Sequence, residues 1–325
     1  MLERSDYVYA NMRIKCLEDK NLDFSDFEAM LSIPSFADRV GYLKNKGWIF
    51  DDSLTEIGSI LKECEKDLFS FVKELVGNLD FLNFILIKKD FSNLKTIIRG
   101  VLSEIDVSDL LDDLSFFSPE ALLNCVKDQN FTLLPDYIKD AAKESFETLL
   151  HTNDACLADT IIDSHMFKVL NEISAESKLS IVKNYVELFF VYANLNISLR
   201  AEKLKKNNRD FLAKALVPCR TFDRDKIMFL TIKGKEALLD YLSGLSYTGF
   251  LPFLCKEGKD YLNCWFDSSL LNIVKREQSN YFTKGPIVAY VLSKYLEFKK
   301  IRLIFSSYAC DKKELDSIRE RLNAV

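Results

Sequence analysis

Hydrophobic residues recur with a helical period along most of this chain. Between residues 181 and 193 they fall three and four apart and leave Lys183, Asn184 and Glu187 on the other face, a pattern typical of one long amphipathic helix. Residues 68–87 repeat this pattern. No segment shows the strict alternation of apolar and polar positions that a half-buried strand requires. The pattern therefore predicts an all-α fold.

Glycine and proline mark where these helices should end. Neither residue type occurs between Asp136 and Val217, or from Ile287 to the last residue, so nothing in those stretches forces the backbone out of a helix. Ser118 directly precedes Pro119, the order found at a helix N-terminus. Further breaks are predicted at three places: Ile33-Pro34-Ser35, Val217-Pro218, and the loop from Gly244 through Gly258.

Composition narrows the class of protein. The 325 residues allow two or three packed units, and 48% hydrophobic residues with 25 Phe exclude a disordered chain. The 10 Gly and 6 Pro are too few for turn-rich β architectures. A net charge of −5 argues against a protein that coats nucleic acid. The apolar stretches are too short to cross a bilayer and the first residues do not resemble a signal peptide, so we expect an intracellular protein without a membrane span.

The chain contains an internal similarity. One set of landmarks is Asn93-Leu94, Arg99, Asp109 and Leu111, and the matching set 101 residues later is Asn194-Leu195, Arg200, Asp210 and Leu212. A weaker third copy lies at Lys299-Lys300-Ile301-Arg302-Leu303-Ile304. In each copy a long helix with an apolar stripe precedes the landmark. The sequence therefore predicts three similar helical units at residues 1–101, 102–202 and 203–325, arranged with pseudo-threefold symmetry or as a solenoid.

These landmarks resemble the family formed by the C subunits of bacterial and archaeal A/V-type ATPases, whose eukaryotic counterpart is the d subunit of vacuolar ATPases. The order of the landmarks along nearly the whole chain carries the resemblance. They are Tyr7-x-Tyr9-Ala10-x-x-Arg13, Asn93 through Gly100, Leu157-Ala158-Asp159-x-x-x-Asp163 with Phe167, Asn194-Leu195 with Leu199-Arg200, and Gly285 through Tyr290 followed by Glu297 and Ile301-Arg302. Tyr281-Phe282 departs from the Pro-Phe pair usual in the family.

The resemblance implies a funnel-shaped protein of three helical subdomains that joins the central axle of a rotary ATPase to its membrane rotor ring. Such a protein transmits torque, needs no cofactor or metal and carries no reaction, because catalysis belongs to partner subunits. It would lie in the cytoplasm against the membrane face, bind the axle subunits and the ring, and bind no nucleic acid. The alternative is an unrelated helical-repeat scaffold or adaptor.

The repeat landmarks Asn93, Arg99, Asn194, Arg200 and Arg302 are the candidate partner-contact residues. Arg99 and Arg200 occupy matched positions, so each either points towards the axle or pairs with an acid of its own unit and fixes helix packing. We favour the structural role.

Charge is distributed unevenly. Residues 103–164 contain fourteen acids and three lysines, a net charge of −11, whereas residues 198–235 contain eleven bases and four acids, a net charge of +7. Such asymmetry favours oriented docking to partners. The simpler interpretation is two solvated helical faces.

Other candidate chemistry is weaker. Asp109-x-x-Asp112-Asp113 could hold magnesium and a diphosphate in a helical enzyme, but we favour a solvated first turn. His151 and His165 lack the further ligands that zinc requires. Residues 231–235 lack the upstream Gly and the following Ser or Thr of a phosphate loop, so Gly234 is predicted to be a helix boundary.

The remaining features lie outside these motifs. The eight cysteines form no Cys-x-x-Cys pair, so we expect reduced, mostly buried thiols. The aromatic loop from Leu245 to Phe253 either projects towards a partner or folds back over the third unit.

Overall fold

The computed structural model describes residues 4–201, 208–244 and 259–307, together with residues 315, 318, 319, 321 and 322. Across these residues it contains fourteen α-helices, three single-turn 3-10 helices and no β-strand, which confirms the all-α prediction. None of the described helices is long and apolar enough to cross a membrane. The aromatic loop from Leu245 to Phe253 lies outside the described residues.

The helices follow one another with short connections. In chain order they are α1 (Arg4–Glu18), α2 (Phe24–Ser32), α3 (Phe36–Asn45), α4 (Ile57–Val76), α5 (Asn83–Leu102), α6 (Pro119–Lys127), α7 (Asp136–Thr152), α8 (Ala155–Glu176), α9 (Ser180–Ala201), α10 (Arg209–Ala215), α11 (Arg224–Lys233), α12 (Lys235–Gly244), α13 (Lys259–Glu277) and α14 (Gly285–Ser306). The 3-10 turns are Asp80–Leu82, Ser108–Leu110 and Phe131–Leu133.

The described residues fall into two compact units. Unit 1 comprises those within Met1–Leu79, Leu179–Ile181 and Gly249–Val325, and unit 2 comprises those within Asp80–Lys178 and Val182–Thr248. Unit 1 therefore contains α1 to α4 with α13 and α14, and unit 2 contains α5 to α12 except for the first two residues of α9. The three repeat units at residues 1–101, 102–202 and 203–325 remain a prediction.

Helix α14 is the central element of unit 1. Its apolar residues Ile287, Val288, Ala289 and Val291 are fully buried, because α1, α2, α4 and α13 all pack against it. Burial on several sides explains why α14 carries apolar residues on more than one face.

Two buried polar side chains attach the N-terminal segment to α14. The Glu297 carboxylate accepts a hydrogen bond from the Leu22 N–H at 3.0 Å, and Lys294 donates to the same carboxylate at 2.6 Å. Arg39 donates to the Ile304 carbonyl oxygen at 2.5 Å. Residues far apart in sequence thus complete one core.

Unit 2 is organised around α5, which packs against α6, α7 and α8. Its residues Phe84, Phe91, Leu94 and Ile97 are fully buried. Tilted aromatic rings join α5 to α9, since the ring centroids of Phe84 and Tyr185 are 5.1 Å apart. This aromatic packing gives the unit a close-packed interior.

Several local predictions are confirmed. Helix α6 begins at Pro119, and the Ser118 hydroxyl accepts from the Ala121 N–H. The Ile33-Pro34-Ser35 break separates α2 from α3, and α9 spans the predicted 181–193 pattern. Gly234 is the boundary between α11 and α12, with a φ of +121° that favours glycine.

Two local expectations are wrong. Residues 68–87 do not form one helix: α4 ends at Val76, and Gly77 adopts a left-handed φ of +79° before α5 begins. The apolar period continues across this break because α4 buries residues in unit 1 and α5 buries residues in unit 2. Of the six described cysteines only Cys125 and Cys264 are buried, and Cys16 is exposed, so the thiols are not mostly buried.

Candidate functional site

Asn93 fixes the segment that follows α5. Its side-chain Nδ2 donates to the Asp112 carbonyl oxygen at 2.9 Å, and its Oδ1 accepts from the Asp112 N–H at 2.8 Å. The side chain is buried on α5, so these two bonds satisfy both its amide groups and the backbone of Asp112. We call this two-point arrangement a clasp.

Asn194 forms the same clasp on α9. Its Nδ2 donates to the Val217 carbonyl oxygen at 2.8 Å, and its Oδ1 accepts from the Val217 N–H at 2.8 Å. The paired residues are 23 positions apart here and 19 apart in the first clasp. The sequence repeat therefore corresponds to a repeated contact between a long helix and the chain segment beyond it.

A carboxylate on the same helix accompanies each clasp. Asp90 accepts from the Phe117 N–H at 3.1 Å and from the Tyr137 hydroxyl at 2.6 Å. Glu187 accepts from the N–H and hydroxyl of Thr221 at 2.8 and 2.6 Å. Glu187 lies on the polar face of α9, as the helical period predicts, and Arg220 and Thr221 contact it there.

Sequence reasoning missed Asp90. It is fully buried, and this burial raises the pKa of its carboxyl to about 6, although the bonds from Tyr137 and Phe117 act in the opposite direction. The available signal was its position three residues before Asn93 and four before Leu94, which places it inside the buried stripe of α5.

Two ion pairs connect α5 to α8. Lys95 donates to Asp163 at 2.5 Å, and Arg99 forms an ion pair with Asp159. Burial raises the pKa of Asp163 above its usual value, and the Lys95 ammonium offsets only part of that rise. Because the two bases and the two acids are each four residues apart, both pairs lie along one helix contact. Arg99 thus fixes helix packing, but its acid lies in the predicted unit 102–202 and not in its own predicted unit 1–101.

Arg200 and Arg302 differ from Arg99. Both are exposed, and neither guanidinium forms an ion pair with any acid in the described part of the chain. The repeat therefore shares the asparagine contact at positions 93 and 194 but not the arginine contact at positions 99 and 200.

The two charged segments of the sequence both lie in unit 2. In the acidic segment, Asp112 pairs with Lys89 at 2.8 Å, and Asp159 and Asp163 pair with α5. In the basic segment, Arg220 pairs with Glu187 at 3.3 Å. Some of the charged residues that create this asymmetry therefore form ion pairs within unit 2.

The remaining candidate residues from the sequence are either exposed or held by structural contacts. Asp109 is an exposed residue of a 3-10 turn, and Asp112 is held by Asn93 and Lys89. The imidazole Nε2 of His165 lies 3.1 Å from the Glu144 carboxylate. Across the described ranges no group of three His, Cys, Asp or Glu residues is arranged to hold a metal ion.

Fold and contacts together define an all-helical protein in which long helices clasp the segments that follow them. Residues 10–319 match the family described as the ATP synthase (C/AC39) subunit. The chain therefore belongs to this family, which confirms the resemblance seen in the sequence. The C subunit of the V-type sodium ATPase of Enterococcus hirae is 19% identical to it, and the alignment covers 98% of this chain and 99% of that protein. Membership implies that its partners are other subunits of an ATPase complex.

Proposed function

We propose that this chain is a non-catalytic central-stalk subunit of a rotary A/V-type ATPase. It acts as a socket that joins the central axle to the membrane rotor ring at the cytoplasmic face, and it transmits torque between ATP turnover and ion transport. Three helical subdomains closed around an axis would provide the seat for the axle.

The repeated clasp is the observation that carries this proposal. A part that transmits torque must deform little under load, and close-packed interiors have low compressibility. Asn93 and Asn194 each fix a long helix to a distant segment through two buried or half-buried hydrogen bonds. Fully satisfied buried polar contacts make such a joint rigid and specific.

Surface charge supports a docking role. Arg200 and Arg302 are exposed, and the segment 198–235 carries a net charge of +7. Complementary charge orients partners during association and sets the register of the contact. We therefore assign Arg200 and Arg302 to partner contacts, and we assign Arg99, Asn93 and Asn194 to the internal framework.

Reconstitution tests this function. Vesicles containing the rotor ring are mixed with the axle and catalytic subunits of the same ATPase, with and without this chain, and ATP hydrolysis and ion uptake are recorded. We expect the chain to sediment with the vesicles and to restore ATP-driven uptake of protons or sodium ions. Without it, hydrolysis should continue without transport.

The opposite result would favour the scaffold or adaptor alternative. If the chain neither binds the axle subunits nor changes the ratio of ions transported to ATP hydrolysed, the socket role is wrong.

A further inference from the structure

Unit 2 contains a cavity to which none of the roles described so far has been assigned. Its volume is about 620 Å³, within the range of ligand pockets, and we call it the α8–α11 cavity. It lies between α8, the segment from α10 to Pro218, and the first residue of α11. Phe167, Phe190 and Leu216 form its apolar wall.

Cations dominate the polar part of its lining. Lys168, Lys214 and Arg224 reach the cavity from three different elements. Among the described residues that line it, the only acid is Glu144, and its carboxylate lies 3.1 Å from the Nε2 atom of His165. Neither lysine forms an ion pair within the described part of the chain. The lining therefore has an excess of positive charge.

Arg224 supplies a second, independent observation. Its Nη2 atom donates to the Ala213 carbonyl oxygen, which fixes the guanidinium at the cavity. Arginine carries five N–H donors, and the bond to Ala213 uses one at Nη2, so the guanidinium can also donate to an acceptor oxygen of a ligand in the cavity.

We propose that the α8–α11 cavity binds a phosphate monoester with an apolar or aromatic body. Such a phosphate carries a charge of about −1.5 to −2 at neutral pH and three acceptor oxygens, which matches three cations that all carry N–H donors. Its phosphate contacts Arg224, Lys168 and Lys214, and its body packs against Phe167 and Phe190. This site does not depend on the socket function.

Calorimetric titration of the full chain tests the site. Phenyl phosphate is the probe, with inorganic phosphate and phenol as its two halves. We expect phenyl phosphate to bind at least about tenfold more tightly than inorganic phosphate, and phenol not to bind measurably. Equal affinity for phenyl phosphate and inorganic phosphate, or no saturable binding, overturns the proposal.

Variants then assign the binding to these residues. Arg224→Gln and the double variant Lys168→Gln with Lys214→Gln should each weaken phenyl phosphate at least about tenfold. The lysine variant keeps the proposal testable if Arg224→Gln does not fold, since both lysines are exposed. Lys233→Gln, on α11 but outside the cavity, is the matched control. Unchanged affinity in the double variant overturns the proposal.

A competition experiment identifies the source of the phosphate. Vesicles with phosphatidic acid either displace phenyl phosphate, which assigns the site to a lipid headgroup, or do not, which assigns it to a soluble phosphate monoester. Phosphatidylcholine vesicles are the blank. Both results are read on phenyl phosphate that is already bound in the cavity, so they decide its natural source.

Discussion

The two matched segments of unit 2 share one contact and differ in another. Asn93 and Asn194 bind the backbone of a later segment with the same pair of atoms and nearly the same distances. Arg99 pairs with Asp159, whereas Arg200 is exposed. An identical residue in a repeat therefore has an identical role only where its surroundings are repeated too.

The neighbouring position differs in residue type. Gly100 ends the first landmark, and the residue 101 positions later is Ala201, which is buried at the end of α9. A Cβ atom at Gly100 would lie 2.5 Å from Val107 Cγ1 and 3.0 Å from the Ile105 carbonyl oxygen. In the first copy the chain after the helix therefore lies close enough to require glycine.

The largest expected effect comes from removing a clasp. Asn194→Ala should lower the free energy of unfolding of unit 2 by about 4 kcal/mol, because it leaves the buried N–H and C=O of Val217 without partners. Asn93→Ala should cost less, since its bonds are only partly buried. Hydrogen exchange of peptides covering residues 190–220 and 90–115 measures both effects.

Two internal controls make this comparison sharp. Asn184→Ala removes an exposed amide from the same helix and should change stability by less than about 0.5 kcal/mol. Trp48 and Trp265, the two tryptophans of the chain, both lie in unit 1, so their fluorescence reports that unit. An Asn194→Ala variant as stable as Asn184→Ala would show that the clasp is incidental.

The carboxylate beside the first clasp should make stability depend on pH. Burial raises the pKa of Asp90 from 3.8 to about 6, so the folded state binds the proton more tightly than the unfolded state. The free energy of unfolding should therefore fall by about 3 kcal/mol as the pH rises from below 4 to above 6. Denaturation by urea at a series of pH values measures this change.

Asp90→Asn should flatten that pH dependence, since the amide does not titrate. Asp109→Asn, an exposed change in the next segment, should leave the slope as in the parent chain. If the slope between pH 4 and 6 is the same for the parent chain and Asp90→Asn, the titrating group is not Asp90.

Exchanging the residues at positions 100 and 201 tests the close approach. Gly100→Ala should destabilise unit 2 by about 2 kcal/mol, because Val107 must move. Val107→Ala added to Gly100→Ala should recover part of this loss, as measured in a double-mutant cycle. Ala201→Gly should cost no more than about 1 kcal/mol. Equal costs at both positions would contradict a special requirement for glycine at position 100.

Substitution of Arg99 or Arg200 should have the smallest effect on stability. Arg99→Gln should cost less than about 1 kcal/mol, because the Arg99 side chain is 53% exposed and water screens its ion pair with Asp159. Arg200→Gln should leave stability unchanged but weaken binding to the axle subunits about threefold at low salt. Surface plasmon resonance with both variants compares the binding, and equal losses would contradict separate roles for the two arginines.

Local features of the fold were predictable from sequence because their causes are local. The Ser118 cap, the α9 pattern and the Gly234 boundary each depend on residues within a few positions of one another. The break at Gly77 was missed because the apolar period continues through it, although glycine is the residue that a left-handed turn favours.

Contacts of the candidate site were less predictable because they join distant segments. The repeat identified Asn93 and Asn194, but their partners lie 19 and 23 residues away in segments without regular periodicity. The contact between Glu187 and Thr221 was not predicted, because helical periodicity separates the two faces of a helix but does not show which later loop packs on the polar one.

The position of α14 in the chain affects how unit 1 folds during translation. Glu297 of α14, whose carboxylate binds the Leu22 N–H, is translated 275 residues after Leu22, so helices α1 to α4 leave the ribosome well before the helix that fills their core. Unit 2 is synthesised completely in the interval. Helices α1 to α4 must therefore be kept from aggregating through their apolar faces until α14 has been translated, which makes them natural clients of a chaperone.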